Sequence, residues 1–305
     1  MRNLLVMEKG RFAPSPTGRM HLGNVFSALL SWLSVKSQGG EWLLRIEDID
    51  PGRSRAEYAD LLMDDLEWLG LTWDGQPVYQ SQRSAIYEHY FEVLRERGMT
   101  YPCYCTRADL LATQAPHESD GRVVYPGTCR NRPLQPGRPA AVRLMVPNRD
   151  VAFVDGHYGW QSVNLAQHVG DFIIRRKDGA WAYQLAVVID DALMGVTEVV
   201  RGRDLLLSSP QQCYIAECLG FRVPRFIHLP LLCNDAGQRL SKRDCSLDLG
   251  TLREHCSASQ IIGRLAYLAR LQPSPCPTSA NDLLSSFSWN KIPVDDIQLG
   301  SRVVC

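Results

Sequence analysis

Arg11-Phe12-Ala13-Pro14-Ser15-Pro16-Thr17-Gly18-Arg19-Met20-His21-Leu22-Gly23-Asn24 is the stretch on which the reading of the fold turns. Arg11-Phe12-Ala13 suits a short strand and runs into the turn formers Pro14 to Gly18. From Asn24 to Val35 the residues Val25, Phe26, Leu29, Leu30, Trp32 and Leu33 predict a helix apolar on several faces, which belongs in a domain core. Strand, turn and core helix in that order make an anion site. The N–H groups at the helix start face the turn, and the helix dipole favours negative charge there. Gly18 and Gly23 let the main chain approach a ligand closely. His21 sits inside the turn, where its imidazole can bond a phosphate or a ribose.

Outward from this stretch the strand–helix rhythm continues. Gly39-Gly40 ends the helix, and Trp42–Ile46 reads as a buried strand. Ser54-x-x-Glu57 forms a capping box that opens a helix carrying Leu62, Met63, Leu66 and Leu69, closed by Gly70. A further helix with Ile86, Tyr90 and Leu94 stops at Gly98. Such alternation predicts βαβ units and an α/β fold around a parallel sheet. Residues 101 to about 170 break the rhythm with cysteines, a Pro/Gly-rich stretch and strand candidates at Ala141–Val146 and Val151–Val154. The pattern resumes with Asp171–Arg176, Trp181–Ile189 and Val196–Val200, and Ser209-Pro210 starts a helix that ends at Gly220. Beyond a loop at 234–246 the remainder reads as mostly helical, with Ile261, Leu265 and Leu268 on one face. The expected division is 1–101 as the first half of the sheet domain, 102–170 as an insertion, 171–250 as the second half and 251–305 as a helical C-terminal region.

Composition bounds the function. With 305 residues, 45% hydrophobic and 22% charged, the chain is an ordinary globular one, not a disordered one. No unbroken apolar run of about 18 residues is present, as a membrane span requires, and Leu4-Leu5-Val6 is too short for a signal-peptide core. A cytoplasmic location with no membrane partner is expected. Thirty-three basic residues against 33 acidic ones exclude nucleic-acid binding by bulk charge alone. Ten cysteines in a long chain without an export signal read as reduced thiols or metal ligands. Cys213, Cys218, Cys233 and Cys256 lie among apolar residues as packing groups. Cys103, Cys105 and Cys129 supply three thiolates, one short of a closed tetrahedral zinc site. His117, Asp109, Asp120 and Tyr125 are the candidates for the fourth ligand, with histidine the usual choice. Between Gly121 and Arg149 there is no Asp or Glu but there are six arginines (Arg122, Arg130, Arg132, Arg138, Arg143, Arg149), a basic stretch suited to RNA.

A second cationic element, Arg239-Leu240-Ser241-Lys242-Arg243, follows the turn residues Asn234-Asp235-Ala236-Gly237. Pro14-Ser15-Pro16-Thr17-Gly18-x-x-His21-Leu22-Gly23-Asn24 resembles the first signature of class I aminoacyl-tRNA synthetases, and Arg239 to Arg243 resembles their lysine loop. Arg11 to Gly18, Arg45-Ile46-Glu47-Asp48-x-Asp50 and Val200-Arg201-Gly202-x-Asp204 are similar to the glutamyl branch. The matches run in order from about residue 11 to 245. Asn24 stands where many members have His, and Leu240 where the second signature has Met. The resemblance implies a Rossmann-type sheet and carboxylate activation: glutamate attacks the α-phosphate of ATP to give an adenylate. His21 and Lys242 would then be catalytic, with Gly23, Asn24 and Ser241 also at the ATP. Mg2+ would travel with the ATP, since no carboxylate cage for it is evident.

A glutamate substrate has two carboxylates and one ammonium, so its pocket needs cations and an anion. Arg11 can pair a carboxylate in bidentate fashion, and Arg201, ending the Val196–Val200 strand, can supply a second guanidinium. Glu47, after a buried strand, needs a cationic partner that the ammonium could be. Tyr183 resembles the tyrosine lining the family's pocket, and the resemblance also sets Phe12, Ala13, Pro14 and Ser15 along the glutamate. Cys-x-Cys followed by Tyr-x-x-x-Cys matches the zinc site of short glutamyl-synthetase-like proteins, which implies Cys103, Cys105, Tyr125 and Cys129 on one Zn2+ per chain. Only about 60 residues follow the lysine loop, which leaves no room for the helical anticodon-binding domain of a complete glutamyl-tRNA synthetase. The expectation is a monomeric paralogue that activates glutamate without tRNA and transfers it to the queuosine base in the anticodon of tRNA(Asp). The alternatives are a truncated glutamyl-tRNA synthetase that charges a tRNA 3′ end, and a non-catalytic, zinc-bearing RNA-binding module.

Overall fold

The computed structural model describes residues 7–106, 109, 124–234, 237–240 and 248–299. Its strands in chain order are β1 (Lys9–Phe12), β2 (Glu41–Ile46), β3 (Val78–Tyr79), β4 (Thr100–Cys103), β5 (Ala141–Leu144) and β6 (Asp150–Asp155). They continue with β7 (Gly159–Asn164), β8 (Phe172–Arg175), β9 (Glu198–Gly202), β10 (Arg225–Leu229), β11 (Leu232–Cys233) and β12 (Ile297–Gln298). The helices are α1 (Leu22–Lys36), α2 (Ala56–Trp68), α3 (Ser84–Glu96), α4 (Leu165–His168), α5 (Tyr183–Leu193), α6 (Ser209–Leu219), α7 (Leu249–His255) and α8 (Ala258–Leu268).

Five strands pair in parallel in the order β10-β9-β1-β2-β3. Parallel strands need covering helices on both faces, and period-two alternation divides their side chains between two cores. Val200 and Ile227 pack with α1 and the C-terminal helices, whereas their neighbours Val199 and Phe226 pack with α3, α5 and α6. Helix α1 is buried on most sides, with Leu29, Leu30 and Leu33 fully enclosed. Truncating one such leucine to alanine costs about 2–5 kcal/mol. From β1 the chain builds outward to β2 and β3, then returns to β9 and β10 on the other side of β1. The reversal lies between β1 and β9, the crevice where open α/β sheets bind ligands at their carboxyl ends.

The stretch between the two halves forms its own antiparallel sheet, β4-β5-β8, and the β6–β7 hairpin. The hairpin turn reaches back to the main sheet: the N–H of Gly156 donates to the carbonyl of Phe226 at 2.8 Å. The short pair β11–β12 ties the C-terminal segment to the chain just before the lysine loop.

Several expectations are corrected. Ser54 does not cap α2, whose N-cap is Arg55 without a side-chain bond. The Ser54 hydroxyl is instead buried without a hydrogen-bond partner. The Asp171–Arg176 stretch supplies β8 to the antiparallel sheet, not to the parallel one. Most of Trp181–Ile189 is helix α5, because a short apolar run bears no period that separates strand from buried helix. After α8 the chain makes 3₁₀ turns at Asn281–Ser286 and Trp289–Lys291 and then β12. Cys256, expected as a reduced packing thiol, is disulfide-bonded.

Candidate active site

His21 is the N-cap of α1. Its Nδ1 accepts the N–H of Gly23 at 3.1 Å, while its own N–H donates to Oδ1 of Asn24 at 3.2 Å, closing a capping box. Accepting at Nδ1 puts the proton of the neutral ring on Nε2. The turn thus offers an imidazole donor beside the N–H groups of the helix start. Asn24 serves as the reciprocal cap. A Cβ at Gly23 would lie 3.0 Å from the His21 ring, closer than an ordinary van der Waals contact. Arg19 anchors the same turn through both oxygens of the fully buried Asp65, at 2.9 and 3.3 Å.

At the β1–β9 reversal the structure assembles a buried charge cluster. Arg11, near the end of β1, donates from Nε to Oδ1 of Asp191 at 3.2 Å. Arg45 on β2 reaches the same oxygen at 2.6 Å and Oε1 of Glu47 at 3.1 Å. Asp190 binds Arg83 at 2.6 Å, Gln80 at 2.8 Å and the Tyr87 hydroxyl at 2.8 Å. Arg201, near the end of β9, lies with its Nη1 3.5 Å from the Tyr183 hydroxyl. Burial would raise the pKa of Asp191, but Arg11 and Arg45 hold it below the usual carboxylate range. Burial pushes Glu47 up against the pull of Arg45 and Arg11. It also pushes Arg201 down. Four guanidinium groups (Arg11, Arg45, Arg83, Arg201) thus face three carboxylates (Glu47, Asp190, Asp191). The excess of one positive charge complements an amino acid with two carboxylates and one ammonium.

Two cavities open on this cluster. The first, of about 580 Å³, is lined by Ala13, Pro14, Ser15, His21 and Asn24 from the signature turn, by Glu47 and Tyr183, and by Arg239 and Leu240. The second, of about 450 Å³, shares Ser15, Thr17, Glu47 and Tyr183 with it and extends to Asp50, Arg53, Arg176 and Trp181. Tyr183 is the first residue of α5. Ser241, Lys242 and Arg243 lie outside the described residues. Their described flanks, Leu240 and Asp248, both sit at His21: Leu240 lines the same cavity, and Asp248 bridges to His21. Arg239 pairs with Asp204 at 2.5 Å, joining the second signature to the Val200–Asp204 motif.

Asp190, Asp191 and the role of Arg45 were missed from sequence. The signal was there: two adjacent acids inside the apolar run Leu185–Leu193, and an arginine inside a buried strand, each require buried partners.

The sulfurs of Cys103, Cys105 and Cys129 lie within 4.8 Å of one another. Cys105 and Cys129 are 3.5 Å apart, and the Tyr125 hydroxyl is 3.5 Å from the sulfur of Cys103 and 3.9 Å from that of Cys105. A tetrahedron with metal–sulfur bonds of about 2.3 Å has edges of about 3.8 Å, so the four groups fit a zinc ion. Tyr125 is fixed by the guanidinium of Arg143 over its ring, 3.6 Å from the centroid, and by a bridge to Gly170. A Cβ at Gly170 would lie 2.2 Å from the Tyr125 carbonyl oxygen. The Asp109 carboxylate is exposed and engaged with Thr106. His117 and Asp120 lie outside the described residues. Of the six arginines, Arg122 also lies outside. Arg143 and Arg130 serve the packing of the inserted segment, the latter paired with Asp171. Arg132, Arg138 and Arg149 stay exposed, the last two bonded to Gln135 and Glu217.

Comparison with known proteins agrees with this geometry. The family described as tRNA synthetases class I (E and Q), catalytic domain, matches residues 9–269. A glutamyl-Q tRNA(Asp) synthetase of Nitratidesulfovibrio vulgaris is 45% identical over 304 residues, covering 94% of each chain. One from Deinococcus radiodurans is 48% identical over 276 residues, covering 87% of this chain and 89% of its own. The crystal structure of a glutamate tRNA ligase from Elizabethkingia meningosepticum, in complex with its amino acid, superposes with a TM-score of 0.82 at 29% identity. That match covers 97% of this chain and 67% of the ligase. No helix among the described residues is long and apolar enough to cross a membrane. A parallel sheet with its ligand crevice at the β1–β9 reversal, and relatives matched along almost their whole length, lead to one assignment: the chain belongs to the class I aminoacyl-tRNA synthetases, in the glutamyl and glutaminyl branch, among the glutamyl-Q tRNA(Asp) synthetases.

Proposed function

We propose that the chain activates L-glutamate with ATP, without tRNA, and transfers the glutamyl group to the queuosine base in the anticodon of tRNA(Asp). The observation that carries this reading is the first cavity, in which the His21 turn, a helix N-terminus and the Glu47–Tyr183 side of the buried charge cluster meet. Glutamate lies along Arg11 to Ser15, its carboxylates served by Arg11 and Arg201 and its ammonium by Glu47, with Tyr183 closing the pocket. ATP lies over Gly23 and Asn24. The α-carboxylate attacks the α-phosphorus, pyrophosphate leaves, and a mixed anhydride forms. The protein's part is to hold the reactants and offset the charge that develops on the phosphates. His21 does so as a donor from Nε2, and Lys242 of the lysine loop as a cation, with Ser241 also serving the ATP. Mg2+ enters with the ATP.

The acceptor reaches the adenylate from the second cavity, where Trp181 offers an apolar wall and Asp50, Arg53 and Arg176 offer charge. A hydroxyl of the cyclopentenediol then attacks the anhydride carbonyl and AMP leaves. The inserted stretch 102–170 separates catalytic halves 1–101 and 171–250, and 251–305 makes up the C-terminal region. Cys103, Cys105, Cys129 and Tyr125 would hold a Zn2+, which would tie the start of the insertion to the Tyr125–Cys129 turn. Glutamate-dependent exchange of pyrophosphate into ATP, run without tRNA, tests the first step. Exchange with glutamate but not glutamine or aspartate is expected, and no exchange with any amino acid would overturn the reading.

A further inference from the structure

Arg201 is held by groups that none of the signature motifs contains. It is buried, and its Nε–H donates to Nε2 of His228 at 3.2 Å while Nη2 donates to the Ser209 hydroxyl at 2.8 Å. An imidazole nitrogen that accepts must carry a lone pair, so the ring proton belongs on Nδ1. Oδ2 of Asp155 lies 2.6 Å from Nδ1 and receives that proton's bond. Asp155 is committed to accepting at both oxygens. The N–H groups of His157 and Tyr158 donate to Oδ1 at 3.0 and 2.8 Å, and the N–H of His228 reaches both oxygens at 3.2 and 3.3 Å. Burial lowers the pKa of His228 and Arg201 lowers it further, overcoming the pull of Asp155 and keeping the ring neutral. The Phe226 ring lies beneath the guanidinium, 5.0 Å from centroid to carbon. Three elements converge here: Asp155 ends β6 of the inserted hairpin, His228 is on β10, and Ser209 opens α6.

We propose that Asp155 and His228, together with Ser209, form a positioning relay that holds Arg201 in the orientation in which it meets a substrate carboxylate. The inserted hairpin then sets the affinity for glutamate through β10, which it adjoins. This rests on the reading of Arg201 as a carboxylate-binding residue. A buried network serving stability alone would cost folding energy when cut but would leave substrate binding unchanged. A relay acting through Arg201 has its effect on glutamate and loses that effect once Arg201 is replaced.

The test is exchange kinetics on the full chain, varying glutamate and ATP separately. His228→Leu should raise the KM for glutamate about tenfold, the scale of one hydrogen bond to a charged group. The KM for ATP and kcat should stay within about threefold of the unaltered protein. His228→Gln, whose amide oxygen can stand where Nε2 stood, should recover most of the loss. In an Arg201→Lys background, which lacks Nε, adding His228→Leu should raise the KM for glutamate no further, since the two changes act through one contact. An unchanged KM for glutamate, an equal rise for both substrates, or a full additional penalty in the Arg201→Lys background overturns the proposal. Should His228→Leu fail to fold, Ser209→Ala carries the same test. A rise of about threefold, absent in the Arg201→Lys background, is then expected, and no rise overturns the relay. Absence of glutamate-dependent exchange in the unaltered protein would remove the functional reading and the relay together, whereas normal exchange with unaffected variants removes the relay alone.

Discussion

Asp191 is the carboxylate that Arg11 and Arg45 share, at 3.2 and 2.6 Å, and neither guanidinium has water to fall back on. Removing one member of a buried ion network leaves the others uncompensated and costs about 3–5 kcal/mol. Asp191→Ala should therefore lower the unfolding free energy by about that amount and raise the KM for glutamate. Urea denaturation showing a loss below about 1 kcal/mol would place Arg11 and Arg45 outside a common network. The pH dependence follows from the same residue. Its folded pKa lies below the unfolded value of about 3.9, so the stability it contributes is complete above about pH 4. That contribution is lost as pH falls through the folded value, and Asp191→Asn should flatten the acid limb of a melting-temperature profile below about pH 4. Lys242 belongs at this scale too. If it offsets charge on the ATP phosphates, Lys242→Ala should slow exchange on the order of a hundredfold, roughly 3 kcal/mol. Full exchange in that variant would end its assignment.

Among the elements, the inserted segment makes the most testable claim. About one zinc per chain is expected by elemental analysis. Tyr125→Phe should shorten retention of the metal against a chelator while His117→Ala leaves it unchanged, and the reverse pattern would hand the fourth position to His117. How far such elements were legible depended on how local their determinants are. The β1 strand, the proline-rich turn and α1 could be read because strand, turn and helix signals follow one another within 30 residues, and Gly70, Gly98 and Gly220 marked helix ends with their positive φ. Helix α5 was not, since the apolar run Leu185–Ile189 is buried on all sides and bears no period. The register of β4-β5-β8 pairs Thr100 with Leu144 and Leu144 with Phe172, which no local pattern encodes. In the site, Arg11, Glu47 and Arg201 stood out as charged residues near strand ends. Asp191 and His228 did not, because their partners lie 180, 146, 73 and 27 residues away in sequence and meet only through the sheet order.

At the scale of the whole molecule, the question is where the activated glutamate goes. The two cavities share the wall formed by Ser15, Thr17, Glu47 and Tyr183, so an acceptor in the second would approach the adenylate across the glutamate site. That arrangement suits any hydroxyl nucleophile on RNA, whether a terminal ribose or the diol of queuosine. What favours the diol is the extent of similarity: a glutamyl-Q tRNA(Asp) synthetase is matched along 94% of its length, but a glutamate tRNA ligase along 67% of its own. An acceptor that enters the second cavity is gripped where the chemistry occurs. Contacts there should be mostly to phosphate, with an affinity that falls as salt rises. The exposed Arg53, and Arg176 at the rim of the second cavity, are the described cations placed to make them. An isolated anticodon stem-loop of tRNA(Asp) carrying queuosine should therefore accept labelled glutamate, and the same stem-loop with unmodified guanine should not. Arg53→Ala should weaken transfer to the stem-loop while leaving pyrophosphate exchange within about twofold, since exchange needs no RNA. If the stem-loop stays unlabelled and intact tRNA(Glu) is charged at its 3′ end, the acceptor is the terminal ribose and the second cavity receives an adenosine instead.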